Sequence, residues 1–448
     1  MKITLISLYP DILAVGVRSL CASLKNKGHD ASIIFLRNEF DRFYKDAALD
    51  EACALMKDSE LIGISLMTNF FHNAVQVTQK IKKSTKAPVV WGGIHPTIMP
   101  EECLEHSDMV CLGEGEESLV ELAGKIERAE DIRNVQGIWF KRGGEIIKTP
   151  LRPLIADLGS IPYPDCDYES QYALNDDGHI SRLNEKLLKQ YMFTGTYKFA
   201  GTYMTLPTRG CPFGCSYCCN NTLNKMFLAN AAIRKRSIDN VVKELEEVKA
   251  RMPYVDCIWF EDDSFFDYSL DEIKDFCVQY KNRVGLALEI HGISPVTINK
   301  EKLSCLVDAG LKVVRMGIQT ANGPTKKLYK RNYPNHMIEK AVILINGFKD
   351  KLKMIFYDII IDNPWETDDQ LAETLMFLST LPPPYSLNIF SLAFYPGTEL
   401  YDAAVKDGII KGDLKELYRQ SYHSHKKTYL NRLRSEEHTS ELQSHSFI

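Results

Sequence analysis

No apolar run in this chain is long enough to cross a bilayer. The strongest, MIFYDIII at 354–361, falls far short of the roughly 20 residues a spanning helix needs. The opening stretch MKITLISLYP lacks the basic n-region, long apolar core and small-residue cleavage site of a secretory signal. These absences predict a cytoplasmic protein with no transmembrane segment. A large basic block is missing too, and the net charge is −5, so no nucleic-acid partner is expected. Disulfides are not expected in a reducing compartment. Of the twelve cysteines, Cys21, Cys53, Cys103, Cys111, Cys166, Cys257, Cys277 and Cys305 stand singly, most in apolar segments where a thiol is a small buried hydrophobe. The other four crowd into TRGCPFGCSYCCNN at 208–221, and such density points to metal or redox chemistry.

The pattern along the chain is α/β. Residues 1–130 alternate short apolar strands (2–8, 30–36, 61–68, 88–93, 108–116) with helical stretches such as 16–28, closed by Gly28. That series predicts a doubly wound, Rossmann-like (flavodoxin-like) parallel sheet. Residues 131–199 hold a hairpin around Gly143-Gly144 and a Pro-rich extended run, and are expected to form a linker and irregular cap. From 200 to 410 the alternation resumes, with strands at 202–207, 257–262, 285–291, 312–318, 353–361 and 387–395. Helices follow the first five, one capped by Ser237 and another ended by Gly310. Six such units predict a partial (β/α)6 TIM-type barrel with its chemistry at the C-terminal ends of the strands. Residues 411–433 read as the start of a C-terminal region cut short. RSEEHTSELQS at 434–444 breaks every earlier pattern and matches the in-frame translation of a common sequencing-library adapter. Residues 434–448 are therefore expected to be disordered and are set apart from fold reasoning.

Structural zinc takes two C-x2-4-C pairs from separate turns. Here the four cysteines lie within nine residues, the adjacent Cys218 and Cys219 diverge, and no second pair exists. A closed ferredoxin cluster would need a fourth ligand that nothing obvious supplies. The spacing C-x3-C-x2-C of Cys211, Cys215 and Cys218 instead leaves one iron of a [4Fe–4S] cluster without a protein ligand. Gly210 and Gly214 let the loop wrap tightly. Cys219 is then expected to begin the next helix and point away as a small packed residue.

With that, RGCPFGCSYC resembles the signature of radical S-adenosylmethionine (SAM) enzymes. The resemblance implies that SAM chelates the open iron and that one electron cleaves it to methionine and a 5′-deoxyadenosyl radical. Cofactor and substrate carry that chemistry, and the protein supplies geometry and exclusion of water. IWFEDDSFF at 258–266 is similar to the family's acidic end of the second barrel strand, so Glu261, Asp262 or Asp263 is the candidate acceptor for the SAM amino group. Tyr217 would lie near the adenine. VVRMGIQT at 313–320 stands where relatives often carry an acid, with Gln319 in its place; Glu289 and Arg315 are further candidates from strand parity. KRNY (330–333), DNPWET (362–367) and FYPGTEL (394–400) resemble later landmarks of the family.

VVWGGIHPT (89–97) and DMVCLGEGEESLVEL (108–122) resemble the cobalamin-binding domain fused to one branch of that superfamily. The resemblance nominates Ser65, Gly92, Gly93, His95, Gly113 and Gly115, although strand-to-helix turns also select glycine and serine. Many cobalamin proteins carry Asp-x-His-x-x-Gly after the first strand. Here LYPDILAVGVRS (8–19) keeps Asp11 and Gly16 but has no histidine between them, so a cobalt ligand from this loop is not expected. The implied cofactors are a [4Fe–4S] cluster, SAM and cobalamin, served by an electron donor such as flavodoxin or ferredoxin. The implied reaction is methylation of a small-molecule or lipid-like substrate. Oxidative cyclisation or ring contraction is the nearest enzymatic rival, and a non-catalytic cobalamin carrier or an inactive fragment the rivals of another class. A methylthiotransferase fits less well, because Cys21, Cys53 and Cys103 lack the close spacing of a second cysteine trio.

Overall fold

A computed structural model describes residues 1–192, 199–228, 233–411 and 414–420, together with 426, 428 and 431. The adapter-like stretch and most of 411–433 lie outside the described residues. The chain divides into two compact units. One is Met1–Met192 with the described parts of Tyr395–Gly397 and Gly412–Gln420; the other comprises the described parts of Phe193–Phe394 and Thr398–Lys411 with the few described residues beyond 420. Among the described residues, no helix is long and apolar enough to cross a membrane.

The first unit is built on β1 (Lys2–Ser7), β2 (Asp30–Phe35), β3 (Leu61–Ser65), β4 (Val89–Gly92) and β5 (Met109–Cys111), parallel in the order β5-β4-β3-β1-β2. Their near-continuous apolar character suits strands covered on both faces: Ile3, Ile33, Leu61, Val89 and Trp91 are all inaccessible. Strand order reverses at β1, with β2 on one side and β3 on the other. The crevice beyond the carboxyl ends there is where doubly wound sheets take ligands.

The stretch 131–199, expected as linker and cap, extends this sheet at both edges. β6 (Ile138–Arg142) and β7 (Glu145–Ile147) add antiparallel strands beside β5. β8 (Gln171–Leu174) runs parallel to β2, and β9 (Ile180–Arg182) antiparallel to β8. The physical reason is that bare edges would leave rows of unpaired backbone groups. The Pro-rich run between the two pairs is pinned by buried polar contacts that no local pattern signals. Arg18 Nη1 donates to the Asp165 carbonyl (2.7 Å) and to Gln171 Oε1 (2.8 Å), and Lys25 Nζ bonds the Asp165 carboxylate (2.9 Å).

In the second unit, β10 (Thr202–Thr205) leads into a short antiparallel ribbon of β11 (Thr208–Arg209) and β12 (Arg234–Lys235). β13 (Cys257–Phe260), β14 (Ala287–Ile293), β15 (Leu311–Gln319), β16 (Met354–Ile361) and β17 (Ser386–Ser391) follow. The six long strands are parallel in the order β10-β13-β14-β15-β16-β17, and β10 and β17 do not pair, so the barrel is partial. Ser237 accepts a hydrogen bond from the Asn240 N–H and starts the helix Ile238–Arg251. Ser269 and Glu272 form a capping box on the next helix, Leu270–Arg283. Phe199, Cys257, Val313 and Phe356 form a buried apolar layer at the amino ends of the strands. Polar side chains gather toward the carboxyl ends, where the barrel opens.

Candidate functional site

The cysteine loop is fixed from several sides. Gly210, at φ +102°, turns the chain out of β11, and its carbonyl accepts from Ser264 Oγ (3.0 Å). The Cys211 carbonyl accepts from Asn224 Nδ2 (3.0 Å). Ser216 donates its N–H to Tyr329 O (3.3 Å) and its hydroxyl to Leu328 O (2.6 Å), while the Leu400 N–H donates back to Ser216 O (2.9 Å). The Cys218 N–H bonds the Cys215 carbonyl (3.2 Å), closing the turn that separates those two residues, and Cys218 caps the helix Cys219–Met226. Cys219 starts that helix as expected. Its thiol does not point away, however: it shares a hydrogen bond with Cys218, which raises the Cys218 pKa and lowers that of Cys219. Burial pushes Cys211 up to about 12, and the neighbouring Asp263, Cys218 and Cys215 add to the rise.

Among the described residues, no three His, Cys, Asp or Glu side chains are drawn together tightly enough for a single metal ion. Arg331 sits against Cys215, with Nη1 3.7 Å from its Sγ, and brings a positive charge to the loop. Tyr217 stacks edge-on against Tyr329 (5.1 Å between ring centres) within an apolar wall that includes Leu392 and Leu400.

The acidic end of β13 divides its labour. Asp262, 2% exposed, accepts from the Thr208 N–H, Thr208 Oγ1 and the Ser264 N–H, each at 2.7 Å. Burial lifts its pKa to about 7 in spite of those bonds. This carboxylate is spent on tying the loop to β11. Asp263 accepts from Asn220 Nδ2 (2.8 Å), which brings the acidic loop onto the cysteine helix. Glu261 faces β14, and burial together with its charge raises the Asp263 pKa.

There the structure joins Glu261 and Glu289 through His291, a residue that sequence reading missed. His291 Nε2 lies 2.5 Å from Glu289 Oε1 and Nδ1 lies 2.8 Å from Glu261 Oε2. Glu289 is fully buried and its other carboxylate oxygen has no hydrogen-bond partner among the described residues; Glu261 is 48% exposed. Glu289 and His291 are two apart on β14 and so share a face. That parity was the only available signal. Arg315 on β15 pairs with Asp358 on β16 (2.7 Å), which also accepts from Asn388 Nδ2 on β17 (3.1 Å). Gln319 adopts φ +70° at a register shift between β15 and β16, and its amide lies over Gly317. A non-glycine residue held there stores strain of about 1–3 kcal/mol, as functional sites often do.

Burial opposes a charge on His291, but its two carboxylate partners outweigh that and raise its pKa above the ordinary value near 6.5. A raised folded-state pKa gives stabilisation that is complete below the unfolded value and is lost as pH climbs through the folded one. Unfolding free energies from urea titrations at about pH 6 and pH 9 should therefore fall more for the unaltered chain than for His291→Gln, by about 1.4 kcal/mol for each pKa unit of the rise. Equal falls would mean that His291 carries no proton in the pair.

In the first unit, Ser7, Ser65 and Gly92 lie side by side across the carboxyl ends of β1, β3 and β4. Ser7 Oγ is buried with no hydrogen-bond partner among the described residues, and Ser65 shares a hydrogen bond with the Tyr9 hydroxyl. A Cβ at Gly92 would meet nothing closer than 3.8 Å, so packing does not demand glycine there. An orphaned hydroxyl and an open glycine flanking Ser65 on the same row fit a ligand with polar groups approaching the backbone, as cobalamin would. The other candidates have internal reasons. A Cβ at Gly93 (φ +102°) would meet Leu66 O at 2.7 Å, one at Gly115 would meet Leu20 at 3.0 Å, and Gly113 (φ +77°) donates to Thr97 Oγ1. His95 is 1% exposed, with Nδ1 bonded to Thr68 Oγ1, Nε2 3.4 Å from Glu102 Oε2 and its ring packed against Phe71 and Tyr418.

Comparison with known proteins matches these two regions separately. The model of the B12 binding domain matches residues 1–123 and that of the Radical SAM superfamily residues 205–378. The chain is 26% identical over 398 residues to the uncharacterized methyltransferase PH0819 of Pyrococcus horikoshii, covering 87% of this chain and 78% of the relative. It is 27% identical over 208 residues to the anaerobic magnesium-protoporphyrin IX monomethyl ester cyclase of Synechocystis, covering 46% and 37%. The fold resembles that of the radical S-adenosylmethionine methyltransferase TsrM from Kitasatospora setae, solved with cobalamin and a [4Fe–4S] cluster. The TM-score is 0.67 at 18% identity, over 91% of this chain and 75% of that one.

Proposed function

Because the chain belongs to the radical SAM superfamily, in the branch that carries a B12-binding domain, we propose that it is a cobalamin-dependent methyltransferase acting on an unactivated carbon of a small-molecule or lipid-like substrate. The observation that carries this reading is the three-thiol loop beyond the first barrel strand, in a chain whose other unit is a doubly wound sheet with an orphaned serine at its switch point. Its cofactors are a [4Fe–4S] cluster, SAM and cobalamin. Bound together, they supply one-electron cleavage of SAM and a transferable methyl group.

The chain's own residues would do the rest. Cys211, Cys215 and Cys218 would hold the cluster and leave one corner open. Asp263 and Glu261 would receive the SAM amino group, since Asp262 is committed to Thr208 and Ser264. Tyr217, in its wall with Tyr329, would flank the adenine. The buried layer of Phe199, Cys257, Val313 and Phe356 would keep water from the amino ends of the strands and so help to protect a radical from quenching. Ser7, Ser65 and Gly92 would face cobalamin.

Anaerobic reconstitution with iron, sulfide, cobalamin, SAM and a one-electron donor tests the reading. It predicts both 5′-deoxyadenosine and S-adenosylhomocysteine. Deoxyadenosine without S-adenosylhomocysteine would replace methyl transfer with oxidative cyclisation, the reading favoured by the likeness to the Synechocystis cyclase. Neither product would remove the enzyme reading altogether.

A further inference from the structure

We propose that Arg331 is a positioning residue for the iron–sulfur cluster, donating a hydrogen bond to Cys215 Sγ and holding a positive charge there that favours the reduced cluster. The inference rests on the assignment of Cys215 as a ligand and goes beyond it. Arg331 reaches the loop from 116 residues away, and its guanidinium is held in one plane by three contacts. Nη1 donates to Cys215 Sγ (3.7 Å), Nη2 to Gly317 O (2.9 Å), and Nε to the Tyr333 hydroxyl (2.8 Å). The group also lies 5.3 Å from the centre of the Tyr333 ring. Arg236, elsewhere in the barrel, faces the buried carboxylate of Glu244. Arg331 has no carboxylate partner among the described residues; its neighbours are tyrosines, a backbone carbonyl and a thiol.

A partly buried cation without a counter-charge carries a desolvation cost that an anion standing beside it offsets. Three thiolates bound to a cluster are such an anion. One-electron reduction adds a further negative charge at the same place, with the electron coming from the external donor and no proton required. The reduced form therefore gains more from Arg331 than the oxidised form does. Hydrogen bonds to ligand sulfur and local charge are recognised determinants of cluster potential. Three of the guanidinium's donor directions are already taken by protein groups, which sets this role apart from capture of a substrate carboxylate.

The test is a redox titration of the anaerobically reconstituted full chain without SAM, followed by electron paramagnetic resonance, for the unaltered protein, Arg331→Met and Arg331→Lys. At the potential where the unaltered cluster is half reduced, Arg331→Met should show a reduced-to-oxidised ratio about tenfold lower, which for one electron is about 59 mV. Arg331→Lys keeps the charge but not the fork, and should fall between the two. Should Arg331→Met fail to take up iron, Arg331→Lys alone decides. A full complement of cluster with an unmoved midpoint overturns the proposal. So does an unmoved midpoint with SAM binding weakened tenfold, which would assign Arg331 to the SAM carboxylate. Absence of a cluster from the unaltered chain would instead overturn the assignment of Cys215 itself.

Discussion

Cys218→Ala abolishes cluster assembly, whereas Cys219→Ala leaves iron and sulfide content close to that of the unaltered chain. The expectation follows from backbone geometry. Cys218 is extended (φ −102°, ψ 137°) at the cap of its helix, and its N–H closes a turn onto the Cys215 carbonyl, so residues 215 and 218 leave the same turn. Cys219 is the first helical residue, and its Cα–Cβ bond tilts toward the helix N-terminus, which explains why its thiol meets Cys218. Loss of a ligand from a three-cysteine site leaves two, too few to retain the cluster, while loss of Cys219 removes only a hydrogen bond. Iron and acid-labile sulfide per chain, measured after anaerobic reconstitution, check this. Cluster retained in Cys218→Ala and lost in Cys219→Ala would exchange the two roles.

Gly292→Ala should be among the most damaging single-methyl changes in the barrel. Gly292 sits at φ +70° in the irregular stretch where β14 and β15 shift register. A Cβ there would stand 2.0 Å from Asp262 O and 2.9 Å from Asp263 Cα. Backbone has no rotamer with which to yield, so the acidic loop must move. It would take Asp262 away from Thr208 and Asp263 away from Asn220. The left-handed conformation alone costs about 1–3 kcal/mol for a non-glycine residue, and the collision adds to it. Gly143→Ala is the control: φ is +62° with nothing within 4 Å, so it carries the conformational cost only. Urea denaturation should show Gly292→Ala well below Gly143→Ala in stability, and SAM affinity should fall in the former alone. Equal midpoints would mean that the close approach to Asp262 is relieved without cost.

The parallel strands were legible because apolar runs bounded by glycine, serine and proline recur at β/α spacing, and the six barrel strands fall where those runs fall. The cysteine loop stands out in the sequence by its spacing, its flanking glycines and its place after the first barrel strand. β8 was not legible, because it pairs with β2 across a long stretch of chain, and the run before it is anchored at Asp165 by Arg18 and Lys25 of the helix Val15–Asn26, contacts that leave no local periodicity. His291 was missed for a related reason. A histidine on a strand has the same parity whether it packs or pairs, and only the fold sets Glu261 across from it. Ser7 was hidden inside KITLISL, where a serine ending a strand is ordinary turn chemistry. The glycines nominated for cobalamin proved mixed, since Gly93 answers to Leu66 while Gly92 answers to nothing in the protein. Glycine placement cannot distinguish those causes before the strands are set side by side.

The central claim is that three thiols, and not four, hold a cluster with one open corner. Electron paramagnetic resonance of the reduced, reconstituted chain, recorded with and without SAM, measures this most directly. An open iron predicts a [4Fe–4S] signal whose g-values shift when SAM is added. A signal that SAM leaves unmoved, with SAM binding shown independently, would mean that the fourth iron already has a protein ligand and would contradict the account.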